Sequence, residues 1–182
     1  MRITGGSLTG RTVLCPPGTI RPAMDRMRES LFAQLGDLAD RSFLDLFSGS
    51  GLVAIEAYSR GAYPLVLVEK DPGKRAVIRK NLDGLDPAPR LLIQPVERFI
   101  ARNRQPFDMV YLDPPFPYRF KDDLLRRLAA SRTVHEGSVV MIHAPRSETL
   151  AESYGAFRLD RRREYGGSLL SWYVGPDTDG SS

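Results

Sequence analysis

Short runs of Val, Ile and Leu alternate along this chain with segments of helical periodicity, and that alternation limits the fold more than any other feature. Residues 42–47, 64–69, 90–94, 107–112 and 138–143 read as strands, and 52–60, 72–82, 96–102 and 121–131 as helices between them. The strands are near-continuous apolar runs rather than alternating ones, as expected of parallel strands covered on both faces. Repetition of this kind predicts an α/β doubly wound sheet. The end of the chain departs from it. Segments 156–165 and 168–175 flank Gly166-Gly167, a hairpin signal, so the sheet is expected to finish with an antiparallel pair.

Before the first strand, Met24, Met27, Leu31 and Leu35 fall at helical spacing, with Gly36 as the stop. Residues 1–20 are rich in Gly, Thr and Pro, with β-type pieces at 2–4 and 11–14, and are expected to form a small β-hairpin extension outside the main core. Residues 21–175 then make the main domain and 176–182 a flexible tail, a division that suits one domain of 182 residues. No apolar run reaches the roughly 20 residues of a membrane span. MRITGGSLTG has no apolar core behind its arginine, so no secretion signal is expected. A single cysteine, Cys15, cannot form an internal disulfide and reads as a spectator thiol in a reducing cytoplasm. The net charge is +4, and 22 of the 26 basic residues are Arg, whose planar fork matches phosphate; a GC-rich genome would produce the same bias.

In an open parallel sheet, ligands bind beyond the carboxyl ends of the strands, near the switch in strand order. The first strand runs into LDLFSGSG, where Gly49 and Gly51 let the loop approach a ligand closely, although any tight strand-to-helix turn uses glycine. Glu69 ends the second strand 20 residues after Gly49, where a carboxylate can accept both hydroxyls of a ribose or simply cap the strand. Together the two favour a nucleoside cofactor. A dinucleotide site would need Ala54 in place of its third glycine, and Asp45, inside the first strand, would repel a pyrophosphate. S-adenosylmethionine carries no phosphate, and its ammonium and sulfonium groups suit an acid, so D-x-F-x-G-x-G points to a methyl donor.

The fourth strand stops at FDMVYLDPPFPY. Proline cannot continue a ladder, and the residue before it is held extended. Asp113 and the Pro114 carbonyl are therefore two stiff hydrogen-bond acceptors at the edge that carries Gly49 and Glu69, with Phe116 as a flat apolar face beyond. That set suits an exocyclic amine, a poor nucleophile that two acceptors can orient towards a methyl group while the base stacks on Phe116. The bland alternative is a plain Asp-Pro turn.

LDLFSGSG, VEKD and DPPF in this order resemble the class I S-adenosylmethionine-dependent methyltransferases that act on amino groups, which have a Rossmann-like sheet. RITGGSLTGR and RPAMDRMRESLFAQL narrow the resemblance, which spans Arg2 to about Tyr173, to the RsmD-type small-subunit rRNA guanine-N2 methyltransferases. The resemblance implies transfer from S-adenosyl-L-methionine to guanine 966 of 16S rRNA in the small ribosomal subunit or its assembly intermediate; the protein is expected to be a cytoplasmic monomer. It implies that Asp45, Gly49 and Gly51 line the methionine part of the cofactor, that Glu69 holds its ribose, and that the Val96 backbone lies beside its adenine. Asp113, Pro114 and Phe116 would hold the guanine amine, with Pro115 at the base. Arg21, Asp25, Arg26 and Arg28 match the head motif and would shape the substrate entrance or meet phosphate. Ala23 and Met24 stand where that motif has a polar pair, and Pro95 stands where the adenine loop has a small or polar residue.

A DNA adenine-N6 methyltransferase shares the amine chemistry, but 182 residues leave little room for a target-recognition domain. An inactive RNA-binding assembly factor would be expected to have lost Asp113 or Glu69. Arg161, Arg162 and Arg163 alternate faces in a strand and read as solvated surface or as RNA phosphate contacts. His135 and His143 lack metal-ligand partners at the right spacing, so no metal is expected. His143 closes the fifth strand, either bordering the base pocket or capping.

Overall fold

The computed structural model describes residues 1–15 and 22–176. Arg21, residues 16–20 of the head and residues 177–182 of the expected tail lie outside the described residues. Helix α1 (Pro22–Leu35) precedes β1 (Phe43–Leu46), α2 (Leu52–Ser59), β2 (Leu65–Glu69), a 3-10 turn (Pro72–Lys74), α3 (Arg75–Leu82) and β3 (Arg90–Ile93). There follow α4 (Val96–Arg102), β4 (Met109–Leu112), α5 (Lys121–Ala129), β5 (Val139–Pro145), β6 (Ser153–Tyr154), β7 (Phe157–Tyr165) and β8 (Ser168–Val174).

The eight strands form one sheet in the order β3-β2-β1-β4-β5-β8-β7-β6. The first five pair in parallel, and β8, β7 and β6 continue the sheet antiparallel. The expected Rossmann-like α/β architecture with a terminal hairpin is what forms. The two-residue β6 had no periodicity to announce it.

Period-two alternation splits the apolar runs into two layers. Leu44, Leu46, Val110, Leu112, Val140 and Ile142 pack under α4 and α5. Phe43, Leu67, Tyr111, Met141 and Trp172 pack under α1, α2 and α3. Strand β1 is buried along its whole length, which is why its residues are apolar on both faces except for Asp45.

Strand β4 begins two residues later than its apolar run. Asp108 turns its carboxylate onto the Ser42 amide (2.8 Å) and hydroxyl (2.7 Å), while the Phe107 amide donates to Thr133 O (2.9 Å). Side-chain and loop partners thus replace the ladder there. Among its described residues the head pairs through one isolated bridge, Arg2 with Thr12, and is not detached. Ile3 and Val13, both buried, pack with Leu52, Ile55 and Leu85. Among the described residues, no helix is long and apolar enough to cross a membrane.

Candidate active site

Strand order reverses between β1 and β4, and the carboxyl ends of both open onto a cavity of about 690 Å³. Parallel pairing of Leu46 with Leu112 brings the loop after β1 and the corner after β4 to the same level, and the Asp113 amide donates to Leu46 O (3.2 Å). Gly49, Glu69, Asp113, Pro114, Pro115 and Phe116 all line this cavity, so the sequence signals converge in space.

The loop after β1 turns through left-handed backbone at Phe47, Gly49 and Gly51 (φ 64°, 59° and 79°). A Cβ on Gly49 would meet nothing nearer than Phe47 O at 4.0 Å, so glycine there leaves open the space that the cavity uses. On Gly51 it would stand 3.1 Å from Leu67 Cδ2, so Gly51 serves packing under the loop and does not line the cavity. Phe47 is the costlier choice, because a non-glycine residue in this region is strained by about 1–3 kcal/mol. Its ring lines the cavity and meets Tyr118 edge to face at 5.4 Å.

Glu69 closes on this loop from β2. It accepts from the Gly49 amide (2.9 Å), the Asp71 amide (2.9 Å) and Lys74 Nζ (3.3 Å). A carboxylate has about four acceptor positions, so capacity remains for a hydroxyl ligand. Asp45 differs from its expected place. It is 1% exposed, lies beneath the loop and accepts from Ser48 Oγ at 2.6 Å without lining the cavity. Burial pushes its carboxyl from 3.8 up to about 7, opposed by the Ser48 hydroxyl and reinforced by the charge of Asp113 and, less, of Glu69.

At the corner after β4, Asp113 Oδ1 lies 2.9 Å from His143 Nδ1. The Phe116 ring meets the His143 ring edge to face at 5.4 Å. Behind the corner, Lys121 is 1% exposed, and its Nζ donates to Phe116 O (3.1 Å), Tyr118 O (2.6 Å) and Glu148 Oε1 (2.8 Å). A buried ammonium with three acceptors is a cross-brace. Met24 of α1 and Tyr165 and Ser168 of the β7–β8 hairpin also line the cavity. Phe47 belongs to the D-x-F-x-G-x-G pattern without a role read for it, and Lys121 and Tyr165 did not stand out in the sequence, since each looks like ordinary core or surface until the sheet folds.

Val96, Arg26 and Arg28 are not among the residues that line the cavity. Val96 begins α4, is 2% exposed and packs in the core under that helix, outside the cavity lining. Arg26 is exposed on α1. Arg28 is buried; its Nη2 donates to Arg2 O (3.0 Å) and lies 3.3 Å from Asp25, so it ties head to helix and does not face solvent. On β7, Arg161 covers the Trp172 ring (5.2 Å to its centroid), whereas Arg162 donates to Leu150 O (2.6 Å) on the other layer, so the arginines do alternate faces.

The donor set fits S-adenosylmethionine. A strand-end carboxylate with one spare acceptor position lines the cavity beside an open glycine, and the Asp113 carboxylate lines the same space.

The chain matches the family described as conserved hypothetical protein 95 over residues 1–174. It is 30% identical over 173 residues to YlbH of Bacillus subtilis (strain 168), covering 91% of this chain and 94% of that protein. To the ribosomal RNA small subunit methyltransferase D of Haemophilus influenzae it is 30% identical over 158 residues, 82% of this chain and 81% of the relative. The solved structure of Escherichia coli yhhF superposes with a TM-score of 0.86 at 28% identity, over 98% of this chain and 99% of that one. With a matched region running from the head through the last strand, the chain belongs to the RsmD-type, small-subunit rRNA methyltransferase D family.

Proposed function

We propose that this protein transfers a methyl group from S-adenosyl-L-methionine to the exocyclic N2 of a guanine in 16S rRNA, position 966 by the resemblance. It acts as a cytoplasmic monomer on the small ribosomal subunit or its assembly intermediate. The observation that carries the reading is the shared cavity, in which the acceptors of the Asp-Pro-Pro-Phe corner and the Glu69–Gly49 pair face one space. The name of the Haemophilus relative supports rRNA as the substrate class.

When bound, S-adenosylmethionine supplies a methyl group on a sulfonium, whose C–S electron pair returns to sulfur as the N–C bond forms. Glu69 would accept one ribose hydroxyl at its remaining position, and Gly49 would leave room for the methionine end. Asp113 and the Pro114 carbonyl accept the two amine hydrogens, which orients the nitrogen lone pair along the line of transfer. Phe116 supports the base by stacking. The amine proton leaves to Asp113 Oδ2. Most of the catalysis is therefore positioning and electrostatics.

The test is to incubate the protein with labelled S-adenosylmethionine and small subunits from a strain lacking the modification, then map the label. Label on guanine N2 is expected. Asp113→Ala should lower transfer by about 10²–10³-fold or more, with cofactor affinity within about 2-fold. Label on DNA adenine, or none on any nucleic acid, would overturn the reading, and an equal loss of cofactor binding would overturn the role of Asp113.

A further inference from the structure

One buried titratable side chain touches both halves of the Asp-Pro-Pro-Phe corner without a role in the scheme above. His143 lies on β5, 3% exposed, between β4 on one side and β8 on the other, where it pairs with Leu170. Parallel register of Leu112 with Ile142 sets Asp113 and His143 side by side on the same face of the sheet. Nδ1 reaches Asp113 Oδ1 at 2.9 Å, and the ring meets Phe116 edge to face at 5.4 Å. The other ring nitrogen, Nε2, is buried with no hydrogen-bond partner among the described residues. A side chain kept only to fill space would not bury an unpaired nitrogen, since Leu or Met would occupy the site without that cost. The Nδ1 contact is what distinguishes histidine here.

We propose that His143 is a positioning residue for methyl transfer: its Nδ1–H holds Oδ1 of Asp113 and so aims Oδ2 at the amine, while its ring fixes the tilt of Phe116. This rests on the amine-methylation reading above. The terminal torsion of an aspartate is broad and nearly two-fold, so an unheld carboxylate samples many directions at the moment of attack. A donor on one oxygen, carried by a strand locked between two neighbours, removes that freedom. Asp113 Oδ2 has no partner among the described residues, and Asp113 lines the cavity, which leaves that oxygen for substrate.

The experiment compares the full-length wild type with His143→Ala and His143→Asn, because asparagine can place an N–H near the position of Nδ1. Transfer to small subunits gives kcat and KM, calorimetry gives the cofactor Kd, and ring ¹⁵N NMR gives the tautomer. His143→Ala should lower kcat by about 10–100-fold, with KM and cofactor Kd within about 2-fold, and His143→Asn should recover most of the loss. In the wild type the ring should be the Nδ1–H tautomer, and Asp113→Ala should abolish that preference. Equal impairment of both variants, an unaltered kcat in His143→Ala, or an Nε2–H ring in the wild type would overturn the proposal. If the wild type leaves the subunits unlabelled, the substrate reading fails, and the tautomer and its dependence on Asp113 still decide whether His143 holds the carboxylate.

Discussion

Asp45 shows how far a single residue can be read before the fold is known. As an acid inside an apolar strand it marks a site, and its place under the glycine loop agrees. Its part there is to hold Ser48 and the loop from below, which spacing along the chain could not distinguish from contact with a ligand. Its titration carries a prediction. The folded value of about 7 lies above the ordinary 3.8, so between these the native state binds the extra proton. The contribution of this group to stability is therefore fully present below about pH 4 and is lost as pH rises through about 7. Asp45→Asn removes the titration. The stability of the variant relative to wild type should thus rise from pH 4.5 to pH 7.5 by about 3 kcal/mol, followed by urea unfolding without cofactor. A gap that does not change with pH would contradict the burial argument.

At the scale of elements, the corner from Asp113 to Tyr118 is a stiff connection between β4 and α5, and its stiffness has two sources. The prolines restrict the backbone, as the sequence alone implies. The second source is Lys121, which begins α5 and bonds back to the carbonyls of Phe116 and Tyr118. Lys121→Met keeps much of the apolar stem and removes the three bonds. It should cost about 2 kcal/mol of stability in urea and lower kcat, with cofactor Kd unchanged within about 2-fold. A variant of full activity would show that the prolines suffice. The strands were legible because the apolar runs are parallel strands, buried in β1, β2, β4 and β5 and half-buried in the edge strand β3. The ends were not, since Ser42, Asp108 and Thr133 decide where β4 starts pairing through contacts distant in sequence.

Across the whole molecule, the head, α1 and α2 are held by one buried carboxylate. Glu56, 0% exposed, accepts from the Thr4 amide (2.9 Å), Thr4 Oγ1 (2.7 Å), the Gly5 amide (3.0 Å) and Arg60 (3.0 Å), and lies 3.9 Å from Arg28. Glu56→Ala leaves Arg60 without its counter-charge and Arg28 with Asp25 alone, and should cost about 3–5 kcal/mol in urea unfolding. Cleavage within residues 1–15 should also become faster in limited proteolysis, and a head that stays protected would show that Ile3 and Val13 alone hold it. The sequence by itself determined the α/β sheet, the antiparallel end, the nucleoside-type loop and the stiff acceptor corner, because each is a local pattern of burial or backbone restriction. Only the tertiary structure decided that Arg28 and Glu56 serve the head, that Asp45 lies below the cavity, and that His143 and Lys121 stand behind the corner. Those roles depend on which strands lie side by side, and strand order is set by packing between segments far apart in the chain.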